Sequence, residues 1–190
     1  AMLPWQFFAS SFSEASNSLI TNQNMISKIY FPRLVLPTSA VIVALVDFLI
    51  SCIILFGMML WYGIMPGWHM LALIPLTGVA FLASMGAGLW VAALNVEYRD
   101  FRYIVPFIVQ FGLYISPVGF SSSIVPQNFR FWYSLNPMVG VIDGFRWAIA
   151  GAETSIYWPG FALSLFVVAA LLASGIWYFR KMERTFADVI

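Results

Sequence analysis

Residues 38–62 read TSAVIVALVDFLISCIILFGMMLWY, an unbroken apolar run in which Asp47 is the single charged residue. About 20 apolar residues in a helix cross the hydrocarbon core of a bilayer, so this run is long enough to span. The alternative spanning structure, a closed barrel, uses short strands of alternating polarity. Nothing in the run alternates, so a transmembrane helix is expected. Three further stretches, 68–94, 103–120 and 158–179, have the same character. A weaker one at 3–20 mixes Trp5, Phe7, Phe8, Phe12 and Leu19 with serines, Glu14 and Asn17. It is expected to cross while facing protein or a polar cavity. The fold class is therefore all-α, a polytopic transmembrane helical bundle of about five crossings in one domain over residues 1–190.

Composition supports lipid as the solvent. Only 9% of the chain is charged and 62% is hydrophobic, where a soluble domain carries roughly 25% charged residues. Five crossings leave no room in 190 residues for a soluble catalytic domain. A net charge of +1 offers no basic surface for phosphate backbones, so nucleic acid is not an expected partner. The lone cysteine, Cys52, lies inside an apolar run and reads as packing; no disulfide or thiolate metal cluster can form within one chain.

Charge also gives orientation. Lys28 and Arg33 follow the first stretch, Arg99 and Arg102 the third, and Arg180, Lys181 and Arg184 the fifth, so seven of nine basic residues fall on one side. That side is expected to be cytoplasmic. Arg130 and Arg146 are the exceptions. Trp61, Tyr62, Trp68, Trp90, Tyr98, Trp132, Trp158, Trp177 and Tyr178 lie near the ends of stretches, as belt residues do. The opposite side holds the turn 63–67 and a segment at 121–157 that is too long and too apolar for a solvated loop. Pro117, Pro126 and Pro137 divide this region, and 136–150 is expected to form one or two short outer re-entrant helices, a pore mouth.

Two segments carry a likeness to a known family. Residues 24–37, NMISKIYFPRLVLP, running into Leu45-Val46-Asp47-Phe48, and residues 135–151, LNPMVGVIDGFRWAIAG, with Tyr98-Arg99-Asp100-Phe101 between them, resemble the permease subunits of ABC-2 type transporters that export polysaccharides. O-antigen exporters are the nearest in kind, with capsule and teichoic acid exporters beside them. Family members begin with an amphipathic segment and one more helix, so the chain is expected to lack the family's N-terminal part.

The resemblance implies a homodimer in the bacterial inner (plasma) membrane that moves a lipid-linked glycan outward, with ATP and Mg bound by a separate nucleotide-binding ATPase subunit. It implies no cofactor, metal or catalytic residue in this chain, which has no GxxxxGK[ST] loop. Thr21, Asn22 and Asn24 can cap a short interfacial helix; the resemblance makes 21–34 the cytoplasmic coupling segment that docks on the ATPase. Asn24, Lys28, Tyr30 and Arg33 are then the coupling residues, joined by Tyr98, Arg99 and Asp100. Simple anchoring of these basic residues at headgroups is the competing explanation.

An acid in mid-span is costly, so Asp47 is expected to face the bundle, at a channel wall or in a packing hydrogen bond. Gln110 presents the same choice. Ser84 and Gly88 read as a close helix contact. In the outer re-entrant region, Asn136, Pro137, Asp143, Arg146 and Trp147 are the candidate residues; Arg146 meets either an anionic ligand or Asp143, three residues before it on one helical face. Sugars stack on aromatic faces, which makes Trp5, Phe7, Phe8, Phe131, Trp132, Phe145 and Trp147 candidates for a glycan path, against belt anchoring. A membrane enzyme would need paired acids or a partnered histidine; His69 stands alone and the acids are scattered. An ion-coupled carrier would need further intramembrane ionisable residues or inverted repeats, and an ABC-2 exporter of drugs or lipids would share the architecture with another cargo.

Overall fold

The computed structural model describes residues 1–26, 32–64, 67–98, 100–151 and 156–183. Lys28, Tyr30 and Arg99 lie outside them. Within these limits the chain is helical without strands: α1 (Met2–Thr21), α2 (Gln23–Ile26), α3 (Val35–Trp61), α4 (Leu73–Glu97), α5 (Phe101–Ile115), α6 (Gln127–Tyr133), α7 (Pro137–Ala150) and α8 (Trp158–Glu183), with 3-10 turns at Trp68–Ala72 and Ser122–Ile124.

Three of these units are long and apolar enough to cross a membrane: α3, α4 with its leading turn, and α8. Local chemistry sets their limits. α3 ends where Gly63 takes φ 71°; the amides of Gly63 and Ile64 bond back to Leu60 O and Met59 O at 3.1 and 2.9 Å, the paired bonds of a glycine-terminated helix. α5 stops at Ile115, short of the expected limit at Phe120. Pro117 disfavours helical backbone at the residue before it, and Ser116 is accordingly extended, at φ −79°, ψ 151°. At about 1.5 Å per residue its 15 residues reach about 22 Å, less than a full crossing.

α1 packs along α3 and α4, α8 along α4, and α7 against α8, α4 and the turn before α4. α4 and α8 approach at backbone distance. A Cβ on Gly86 would lie 2.7 Å from Leu172 N, and one on Gly175 2.6 Å from Gly86 O. Gly88 is equally tight against α1, with Ala15 Cβ 2.8 Å from any added Cβ, so the Ser84 and Gly88 turn is a close helix contact. Two apolar clusters mark the two ends. Leu19, Leu36, Leu89, Val96 and Phe179 form the smaller one, beside Arg33, Arg180 and Lys181; this is the basic end. The larger cluster joins Phe7, Phe48, Leu76, Met138, Ile142 and Phe145 at the α7 end. α3 meanwhile exposes Ile42, Val43, Val46, Ile50, Ile53 and Ile54, the surface expected of a lipid-facing helix.

Candidate functional site

At the α7 end a polar cluster ties the α5–α6 connection onto α7. Asn136 caps α7: its Oδ1 accepts from Met138 N at 3.0 Å, Pro137 occupies the first turn, and its Nδ2 donates to Ser116 Oγ at 2.9 Å. Nearly three turns on, Arg146 donates to Pro117 O at 2.7 Å and Phe120 O at 2.9 Å, and pairs with Asp143 at 3.4 Å. The i, i+3 pair expected from spacing is thus formed. Ser122 donates to the other oxygen of Asp143. Arg130 closes the same loop from α6, donating to Val125 O and Ser123 O at 3.1 and 2.8 Å. Tyr133 OH donates to Ile115 O at 2.7 Å.

These groups border a cavity of about 160 Å³ between the Ser121–Ser123 turn, α6, α7 and the start of α8. Burial pushes the Asp143 carboxyl above the usual range, against the opposing effects of the Ser122 hydrogen bond and the Arg146 and Arg130 guanidiniums. The Tyr133 hydroxyl is pushed up to about 12, by burial first and then by Asp143. These polar groups are committed to one another and to the chain's own backbone, so the cluster is built to hold a loop. Trp147 leaves it and meets His69 edge to face at 5.0 Å, and Trp68 also packs on that histidine at 4.4 Å.

At the basic end, α2 rests on the bundle through Ile26, which packs with Leu34 on the smaller cluster. Asn24 is exposed, as are Tyr98 and Asp100 across the bundle end. Arg33 turns inward: its amide donates to Glu183 Oε1 at 3.3 Å, and its guanidinium donates to the Glu183 backbone carbonyl. The residues leading into α3 are thereby fastened to the last turn of α8. Trp90 and Tyr178 stack at 4.2 Å just inside this contact.

The mid-bundle candidates fall differently. Asp47 does not face the interior of the protomer; it is exposed on α3, and Ser51 Oγ bonds to its backbone carbonyl at 2.9 Å. Gln110 is exposed on α5. Of the aromatic candidates, Trp5, Phe7 and Phe145 are buried in the larger cluster and line no path within the protomer, whereas Phe131 and Trp132 are exposed. Sequence reasoning passed over Tyr103, Phe107, Phe111 and Tyr114, all exposed on α5 at the 4, 4 and 3 spacing of one helical face. Glu183 was passed over as well; its signal was a lone acid within Arg180-Lys181-Met182-Glu183-Arg184. Among the described residues no group of three potential metal ligands occurs.

Long apolar helices, with basic residues gathered at one end and a loop-holding polar cluster at the other, define a multi-pass membrane protein. The chain belongs to the ABC-2 type transporter family, whose profile matches residues 1–150. It is similar over its whole length to two proteins named O-antigen export system permease protein RfbA from Klebsiella pneumoniae, each 26% identical, and to one of the same name from Myxococcus xanthus, 28% identical. In all three it covers 73% of the relative.

Proposed function

We propose that the chain is the membrane subunit of an ATP-driven exporter that moves a lipid-linked polysaccharide, of O-antigen type, from the cytoplasm across the bacterial inner membrane. The observation that carries this is whole-length similarity to permeases named for O-antigen export. Two copies of the chain form the pathway, and a separate nucleotide-binding subunit holds Mg and ATP. The basic end faces the cytoplasm by the positive-inside rule. There the ATPase pushes on α2 and the segment through Lys28, Tyr30 and Arg33, with Tyr98, Arg99 and Asp100 on the neighbouring loop. The Arg33 contact with Glu183 supports a route by which such a push reaches α8 as well as α3. At the outer end, the bonds of Asn136, Asp143 and Arg146 to the α5–α6 connection support a role in keeping the exit closed until the helices move.

Replacing Lys28 and Arg33 together by alanine tests the coupling role. Export is expected to fall while membrane insertion persists, and unchanged export would remove both residues from it.

A further inference from the structure

α1 and α4 run parallel, Phe7 and Leu76 sharing the larger apolar cluster and Leu19 and Val96 the smaller one. At the basic end each leads into a segment assigned to coupling, α1 into residues 21–34 and α4 into Tyr98, Arg99 and Asp100. The seam between them is made of small residues. Ala15 lies so close to Gly88 that a Cβ on the glycine would be 2.8 Å from it, and Ser84 and Ala92, one turn to either side of Gly88, are buried too. Small side chains bring the backbones together but raise no tall ridges to lock one helix against the other.

A polar tie crosses this seam. Asn95, in the last turn of α4, donates through Nδ2 to Ser16 O on α1 at 2.7 Å. Asn95 and Ser16 are both wholly buried. Asn95 Oδ1 is buried with them and accepts from no donor among the described residues. An acceptor without a partner in an apolar interior is costly. Because the atom is already sealed, no segment or partner added from outside can supply the donor while the helices stay as they are. For this arrangement alone a leucine of similar size would serve stability as well or better.

A donor lies one small movement away. Ser16, whose carbonyl Asn95 holds, also carries a hydroxyl, which is turned back to Phe12 O on its own helix. Such a back-bond adds little to a helix, so it is readily exchanged. We infer that Asn95 is a positioning residue of the transport cycle: α1 turns against α4, and the Asn95 amide passes from a bond with Ser16 O to one with Ser16 Oγ. The ends that carry the two coupling segments then have two defined positions. The purpose of this exchange rests on the proposed ATP-driven export, whereas the movement itself does not.

The full-length protein assembled with its ATPase tests it through glycan exported per ATP hydrolysed, melting temperature in detergent, and the distance between spin labels at Thr21→Cys and Glu97→Cys in a Cys52→Ser background. Ser16→Ala leaves the bond between Asn95 and Ser16 O in place and removes only the second one. It is expected to lower export per ATP about fivefold at an unchanged melting temperature. Asn95→Leu should do the same at an unchanged or higher melting temperature, and the double variant should be no worse than either single one. ATP should shift the label distance in the unaltered seam and leave it fixed in Ser16→Ala. Export and label movement in Ser16→Ala equal to those of the unaltered protein overturn the inference. So does a loss of export that only follows a loss of melting temperature or assembly, which marks a packing role. A label shift in a protein that exports no glycan upholds the movement and overturns the proposed cargo.

Discussion

Arg33, two residues before α3, is bonded twice to Glu183 in the last turn of α8, through its amide and through its guanidinium. Residues 150 positions apart are thereby joined at the end of the bundle that carries most of the basic residues. The connection between α1 and α3 is thereby tied to two spans at once.

Removing that joint should uncouple the machine while leaving it assembled. A hydrogen bond from a charged donor contributes about 1.5–3 kcal/mol, and about 1.4 kcal/mol is tenfold in an equilibrium. Arg33→Ala is therefore expected to lower export about tenfold or more with normal membrane insertion. Glu183→Gln should cost less, since the guanidinium binds the backbone carbonyl. ATP hydrolysis and export, measured together on the assembled transporter, check both.

Arg146 makes three bonds from one guanidinium, to Pro117 O, Phe120 O and Asp143. Arg146→Ala should destabilise the protein by about 2–3 kcal/mol, read as a lower melting temperature in detergent. Lysine should not rescue it, because an ammonium cannot reproduce the planar fork. In a double-mutant cycle, Asp143→Asn with Arg146→Ala should lose less than the sum of the single changes.

The α4–α8 crossing depends on the absence of side chains. Gly86→Leu or Gly175→Leu forces a Cβ to within 3 Å of backbone, and overpacking of this kind costs about 1–3 kcal/mol. Both variants should express poorly or melt early. Gly57→Ala, with no atom within 4 Å of the added Cβ, should behave as wild type in the same assay.

How far the sequence revealed this arrangement depends on the kind of force involved. The spans of α3, α4 and α8 were legible because lipid imposes apolar length directly. Pro117 was noted as a break, yet its effect on Ser116, which ends α5 at Ile115, was not carried through. Asp47 was expected to face the bundle because an acid avoids hydrocarbon; which side of α3 it occupies is set by the Phe7–Phe48 contact, a tertiary fact with no local signature. Trp5, Phe7 and Phe145 were considered for a glycan path on residue type alone, and packing placed them in the core. The Asp143–Arg146 pair was readable because its spacing of three brings side chains together on any helix; that Arg146 also holds Pro117 and Phe120 depends on a loop folding back across 26 to 29 positions.

The most direct measurement is mass spectrometry of lipid-linked glycans in cells depleted of the full-length protein. If the chain exports polysaccharide, completed polymer accumulates on its lipid carrier inside the cell, and its sugars identify the cargo. An unchanged pool of lipid-linked glycan would contradict polysaccharide export and leave an ABC-2 membrane subunit with a different cargo.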